Sequence, residues 1–152
     1  MTTTTTTNPG PAVTISGHPQ QASTGGTLRL LAVQKGLSVA ALGDTAVPVI
    51  NSSLWVPVSV IVANANNAGT TADVHSVGFG VYTAASQGGT AILTNAALTS
   101  NTSSTYVTVS AATTPNTAES VQNLYFNVAT ATATATVDVY VYGYDLTPSS
   151  LG

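Results

Sequence analysis

Much of this chain alternates apolar and polar side chains with a period of two. That period belongs to a β-strand with one buried face. Leu28, Leu30 and Ala32 share one parity. Leu54, Val56, Val58, Val60 and Val62 share one face of a longer run, opposite Pro57 and Ser59. Val77, Phe79 and Val81 alternate with Ser76, Gly78 and Gly80. Val107 and Val109 alternate with Tyr106, Thr108 and Ser110. Leu124, Phe126 and Val128 alternate with Asn123, Tyr125 and Asn127. Val137, Val139 and Val141 alternate with Thr136, Asp138, Tyr140 and Tyr142. Pro57 lacks an N–H and demotes its strand to an edge or a bulge.

Polar, turn-forming clusters separate these runs at residues 64–69, 87–89, 99–104 and 113–117. About eight strands joined by such loops predict an all-β fold, an antiparallel β-sandwich of jelly-roll type. Residues 36–43 alone could form a short helical turn. The alternating Ala/Thr stretch at 129–136 is low in complexity and buries little area; it extends the last strand or forms a flat edge. The sandwich domain is expected over residues 27–152.

Residues 1–26 read as an extended N-terminal arm. Thr2, Thr3, Thr4, Thr5, Thr6 and Thr7 run directly into Asn8, Pro9, Gly10 and Pro11. Prolines 9, 11 and 19 oppose helix and central strand, while β-branched threonine favours extended backbone. Val13 and Ile15 alternate with Thr14 and Ser16, as in a short edge strand. The N-terminus has neither the basic nor the apolar region of a signal peptide.

Charge narrows the function. Only 5% of the 152 residues are Asp, Glu, Lys or Arg, against roughly 25% in an average soluble domain. Arg29 and Lys35 are the only two basic residues beside five acidic ones. Two cations cannot neutralise a row of phosphates, so neither nucleic acid nor an anionic membrane is an expected partner. The surface must be wetted by Thr, Ser, Asn and Gln. Such a surface costs less to dehydrate than one bearing ions, which suits a protein packed against neighbours. The alternative at this level is a charge-poor secreted β protein.

No catalytic, cofactor-binding or metal-binding set emerges, and an enzyme is not expected. Cysteine is absent, which removes disulfides and thiolate metal sites. His75 shares the parity of Val77 and Phe79 and is expected to point inward near a strand end. Asp73 lies two residues before it, but no nucleophile elbow accompanies the pair. Asp138 and Asp145 with carbonyl oxygens are the best calcium set that can be written, and a poor one. Asn51 and Asn101 head glycosylation patterns that have no secretion signal to accompany them.

Three surface features are candidate interface residues. The first is the arm, Thr2 to Pro11. The second is Trp55, whose parity opposes the valines of its run; it faces outward as an anchor or covers a sheet edge. The third is the stripe Tyr140, Tyr142 and Tyr144, opposite the last valines. Tyrosine offers large contact area at low entropic cost. The stripe is a contact surface, a cross-strand ladder or a second buried face.

The threonine-rich start, Leu54-Trp-Val-Pro-Val-Ser-Val-Ile-Val-Ala-Asn64, Val77-Gly-Phe-Gly-Val-Tyr-Thr83 and Ala135-Thr-Val-Asp-Val-Tyr-Val-Tyr-Gly-Tyr-Asp-Leu146 resemble small β proteins of tailed bacteriophages. The resemblance spans about residues 27–146 as a pattern rather than as invariant positions. It implies a capsid decoration, or cement, protein in the virion. Such a protein sits on the capsid exterior after assembly in the host cytoplasm, as a homotrimer against the major capsid protein and copies of itself. It carries no cofactors. Alternatives are another β-rich virion component (head fibre base, tail tube or receptor-binding module) or a secreted carbohydrate-binding module built on Trp55 with Tyr82 or Tyr106. Deleting residues 1–11 is expected to weaken shell binding and leave the melting temperature of the sandwich unchanged, as co-sedimentation and circular dichroism would report.

Overall fold

The computed structural model describes residues 27–102, 107–132 and 134–148. The N-terminal arm lies outside the described residues. Among the described residues there are nine strands and no helix. They are β1 (Thr27–Ser38), β2 (Gly43–Pro48), β3 (Trp55–Asn67), β4 (Thr70–Thr71), β5 (Gly78–Ala84), β6 (Gly88–Ala97), β7 (Val107–Ala111), β8 (Asn123–Thr130) and β9 (Thr136–Asp145). One sheet has the order β1-β9-β3-β4, with β7 also paired to β3; the other has the order β2-β8-β5-β6. All pairings are antiparallel. The chain crosses between sheets repeatedly, and the two pack face to face as a β-sandwich.

The alternation explains most of the core. Val137, Val139 and Val141 of β9 are fully buried, as are Val60 of β3, Phe79 and Val81 of β5, and Leu124 and Phe126 of β8. Phe79 and Phe126 meet edge to face with centroids 6.0 Å apart, the arrangement ring quadrupoles favour. Burial of each such side chain contributes roughly 1.5–3 kcal/mol.

Where the expected parity fails, a bulge or a turn is responsible. An extra residue reverses which side chains face inward. In β1 the register shifts between Leu30 and Ala32. Leu31 and Ala32 are both buried there, and Leu28, expected inward, is 52% exposed. In β3 the register shifts between Pro57 and Ser59. Pro57 thus marks a bulge, as expected, but in a strand with neighbours on both sides rather than at an edge.

The same bulge corrects the outward placement of Trp55. Before the shift, Trp55 and Pro57 face inward; after it, Val60 and Val62 do. Trp55 is 0% exposed, and its indole Nε1 donates to the Val121 carbonyl at 3.2 Å. Gly143 lies opposite Pro57. A Cβ there would collide with the Val56 carbonyl oxygen and Leu31 Cδ1, so only glycine admits this close approach.

β7 reverses the expectation as well. Val107 and Val109 are 42% and 65% exposed. The inward side of β7 carries Thr108, whose hydroxyl donates to Asn101 Oδ1. Asn101 is fully buried, and its Nδ2 donates to the Val62 carbonyl at 3.2 Å. A buried amide must be hydrogen-bonded, and Thr108 meets that need from the position a valine would otherwise take. The 36–43 stretch is not helical: it completes β1, turns and opens β2. The Ala/Thr stretch ends β8 at Thr130 and starts β9 at Thr136. Truncating Trp55 to alanine is expected to destabilise the fold by about 3–5 kcal/mol, read as a lowered urea midpoint by circular dichroism.

Candidate functional site

Because side chains alternate across a strand, burying the β9 valines turns Tyr140, Tyr142 and Tyr144 to the outer face of the five-stranded sheet. The register then carries this stripe sideways. Tyr140 lies between Val33 of β1 and Ile61 of β3, and Ile61 is paired with Val109 of β7. Tyr142 lies between Leu30 and Ser59, and Ser59 is paired with Ala111. Tyr144 lies between Leu28 and Val56. Most of these residues are partly exposed, and Leu28, Tyr144 and Val109 are 52%, 43% and 65% exposed.

The result is an apolar and tyrosine-rich face four strands wide. At strand spacings of ~4.8 Å and ~3.3 Å per residue, its footprint is on the order of 400 Å². Outer faces of antiparallel sandwiches are commonly polar; this one is the size of the largest apolar patch on a typical monomer, which is often functional. The tyrosine hydroxyls keep it wettable while their rings supply contact area.

Among the described residues, charges lie only at its ends. At one end, Asp138 accepts hydrogen bonds from Gly36 N at 2.9 Å and Asn64 Nδ2 at 2.8 Å. Gly36 and Asn64 have left-handed φ of 64° and 54° and sit at bulges in the strands flanking β9. One carboxylate therefore ties both neighbours to the central strand. Burial raises its pKa, but the Asn64 and Gly36 bonds and the Lys35 charge outweigh this and hold it below its ordinary value. At the other end, Arg29 Nη1 pairs with Asp145 Oδ2 at 2.7 Å, and Asp145 Oδ1 accepts from Thr147 N at 3.0 Å. Burial raises the Asp145 pKa too, and the Thr147 and Arg29 bonds lower it overall.

Of the interface residues expected from sequence, Tyr140, Tyr142 and Tyr144 come together on this face. Thr2 to Pro11 lie outside the described residues. Trp55 is buried on the opposite side of the sheet and offers no surface anchor. The wider face formed with Leu28, Leu30, Val33, Ile61, Val107 and Val109 was not foreseen. The β1 and β3 bulges and the Asn101–Thr108 bond turn these residues outward, and neither shows in the alternation.

Other expected sites are corrected. His75 is not inward: it occupies an exposed turn before β5, where Asp73 Oδ1 accepts from His75 N at 3.1 Å and meets His75 Nδ1 at 2.5 Å. Those bonds lower the Asp73 pKa. Asp138 and Asp145 sit at opposite ends of β9 and cannot share an ion. Among the described residues no group of three metal-ligating side chains converges. The carbohydrate platform loses Trp55, and Tyr82 is only 5% exposed, with its hydroxyl accepting from Asn95 N at 3.1 Å. Tyr106 lies outside the described residues. Asn101 uses its amide in the core and is closed to glycosylation in the folded state.

No family model, curated protein or solved structure matches the chain.

The acidic groups predict a pH response. Asp138 and Asp145 have folded pKa values below their unfolded ones, so their stabilisation is fully present above about pH 4. It is lost as pH falls through the folded values. The melting temperature is expected to be flat from pH 7 to about 5 and to drop below about 4. Asp138→Asn should shrink that drop, as scanning calorimetry would show.

Proposed function

We propose that this chain is a non-enzymatic structural protein that attaches to the outside of a tailed-phage capsid and reinforces the shell. The observation that carries the reading is the outer face of the five-stranded sheet, an uncharged surface centred on Tyr140, Tyr142 and Tyr144. On a chain with 5% charged residues, such a face is made for contact with protein. The partners proposed are the major capsid protein and further copies of this chain, arranged as a trimer.

Two further points support the reading. The segments at 54–64, 77–83 and 135–146 resemble small phage β proteins. The four-strand orders β1-β9-β3-β7 and β2-β8-β5-β6, with a chain that keeps crossing between sheets, suit a jelly roll, an architecture frequent in viral capsids. The mechanism is linkage: a protein that binds only the assembled lattice shifts the equilibrium toward that lattice. A head fibre base, tail tube or receptor-binding module draws on the same face and differs by its place on the particle. The carbohydrate-binding alternative has lost the exposure of two of its aromatics.

The test is to purify particles from the source lysate on a density gradient, identify the chain by mass spectrometry and locate it with labelled antibody. Label over the head, retained after a wash in molar salt, is expected, because few charges are available to be screened. Tyr142→Glu should weaken reattachment to stripped heads by about thirtyfold, the cost of a hot-spot residue near 2 kcal/mol. Label on the tail would move the protein to the alternative virion roles. Absence from particles would overturn the proposal.

A further inference from the structure

A sheet edge exposes unpaired N–H and C=O groups, and natural proteins block such edges with charges, proline, bulges or shortness. Among the described residues, β1 carries Arg29, Lys35 and two register shifts. β2 carries Asp44 and ends at Pro48. β6 opens on Gly88-Gly89 and shifts register repeatedly against β5. β7, Val-Thr-Val-Ser-Ala, carries no charge, proline or register shift, and only its five-residue length limits it. It pairs with β3 on one side, and no described strand pairs with its other side.

We propose that β7 pairs with β7 of a second copy, antiparallel about a two-fold axis through Val109. A two-fold axis sets each residue near it against its own counterpart, so an ionised side chain there would face a like charge. Neither β7 nor its neighbour β3 contains an ionisable residue. Centred on Val109, the register sets Val109 against Val109, Thr108 against Ser110 and Val107 against Ala111. These are the β-branched and hydroxyl cross-strand pairs that stabilise antiparallel ladders. The 65% exposed Val109 becomes covered, and the outer faces of two sheets join into one.

Five residues of edge bury far less than the ~800 Å² per partner of a standard interface. The contact is therefore weak between free molecules and gains force where copies are held side by side. It runs along the β7 margin of the outer face, two strands from the β9 tyrosines, so its failure would leave the capsid reading, which rests on Tyr140, Tyr142 and Tyr144, in place.

The chain has no cysteine, which makes single-cysteine cross-linking clean. Under mild oxidation, full-length Val109→Cys should form a disulfide-linked dimer at least about tenfold faster than Leu42→Cys, a control 68% exposed on a turn. Val107→Cys should cross-link faster with Ala111→Cys, when the two are mixed, than with itself. Circular dichroism confirms that each variant folds. As a second measurement on unsubstituted strands, sedimentation of the wild-type chain should show average mass rising with concentration, and Val109→Lys should abolish the rise. Equal cross-linking of the Val109 and Leu42 variants, or a concentration-dependent mass that Val109→Lys leaves untouched, would overturn the two-fold pairing.

Discussion

β9 occupies the middle of its sheet, bonded to β1 on one side and β3 on the other, and it allows only one register. Val137, Val139 and Val141 are fully buried. A slip by one residue would expose all three and drive Tyr140 and Tyr142 into a core with no room or partner for their hydroxyls. At roughly 1.5–3 kcal/mol per buried valine, that penalty rivals the whole stability of a small domain. The outward tyrosines thus follow from the inward valines. The surface assigned to assembly is a direct consequence of the packing that holds the sandwich together.

The few carboxylates in this chain shape backbone more than they decorate the surface. Asp138 holds the bulges of both strands beside β9. Asp44 accepts from Ser86 N and Asn127 Nδ2, each at 2.6 Å, and Ser86 is another left-handed residue. Asp73 closes the turn before β5, and Asp145 joins Arg29 to the segment after β9. Each accepts a hydrogen bond from a main-chain N–H, a contact stronger with an ionised acceptor than with a neutral one. Left-handed conformations cost non-glycine residues of order 1–2 kcal/mol, and the carboxylate bonds offset part of that. With its four aspartates occupied in this way, the centre of the large outer face carries no charge.

Sandwich class and the inward valines and phenylalanines of β5, β8 and β9 were legible in the sequence, because those strands keep their alternation through the core; about eight strands were expected against nine, and β2, β4 and β6 carry no clear alternation. The tyrosine stripe was legible for the same reason. Trp55 and Leu28 were misplaced because a bulge changes parity without altering the composition of the run. Pro57 hinted at one bulge; nothing in Leu28-Arg-Leu-Leu-Ala marked the other. Val107 and Val109 were misplaced for a different reason. A buried asparagine elsewhere in the chain claims the inward hydroxyl of Thr108, and that is a long-range demand that a local pattern does not contain.

The position of β9 also bears on how the molecule is made. β3 is complete at Asn67, and β9, which must fit between β3 and β1, begins only at Thr136. At ~5–20 residues per second, a ribosome needs on the order of ten seconds to cover that interval. Throughout it, the two outer members of the future seam stand apart with bare flanks, and the contacts joining them have large sequence separation, which slows closure. The nascent chain is therefore most vulnerable to clumping just before its final strand emerges, and a trailing chaperone would serve it best at that moment.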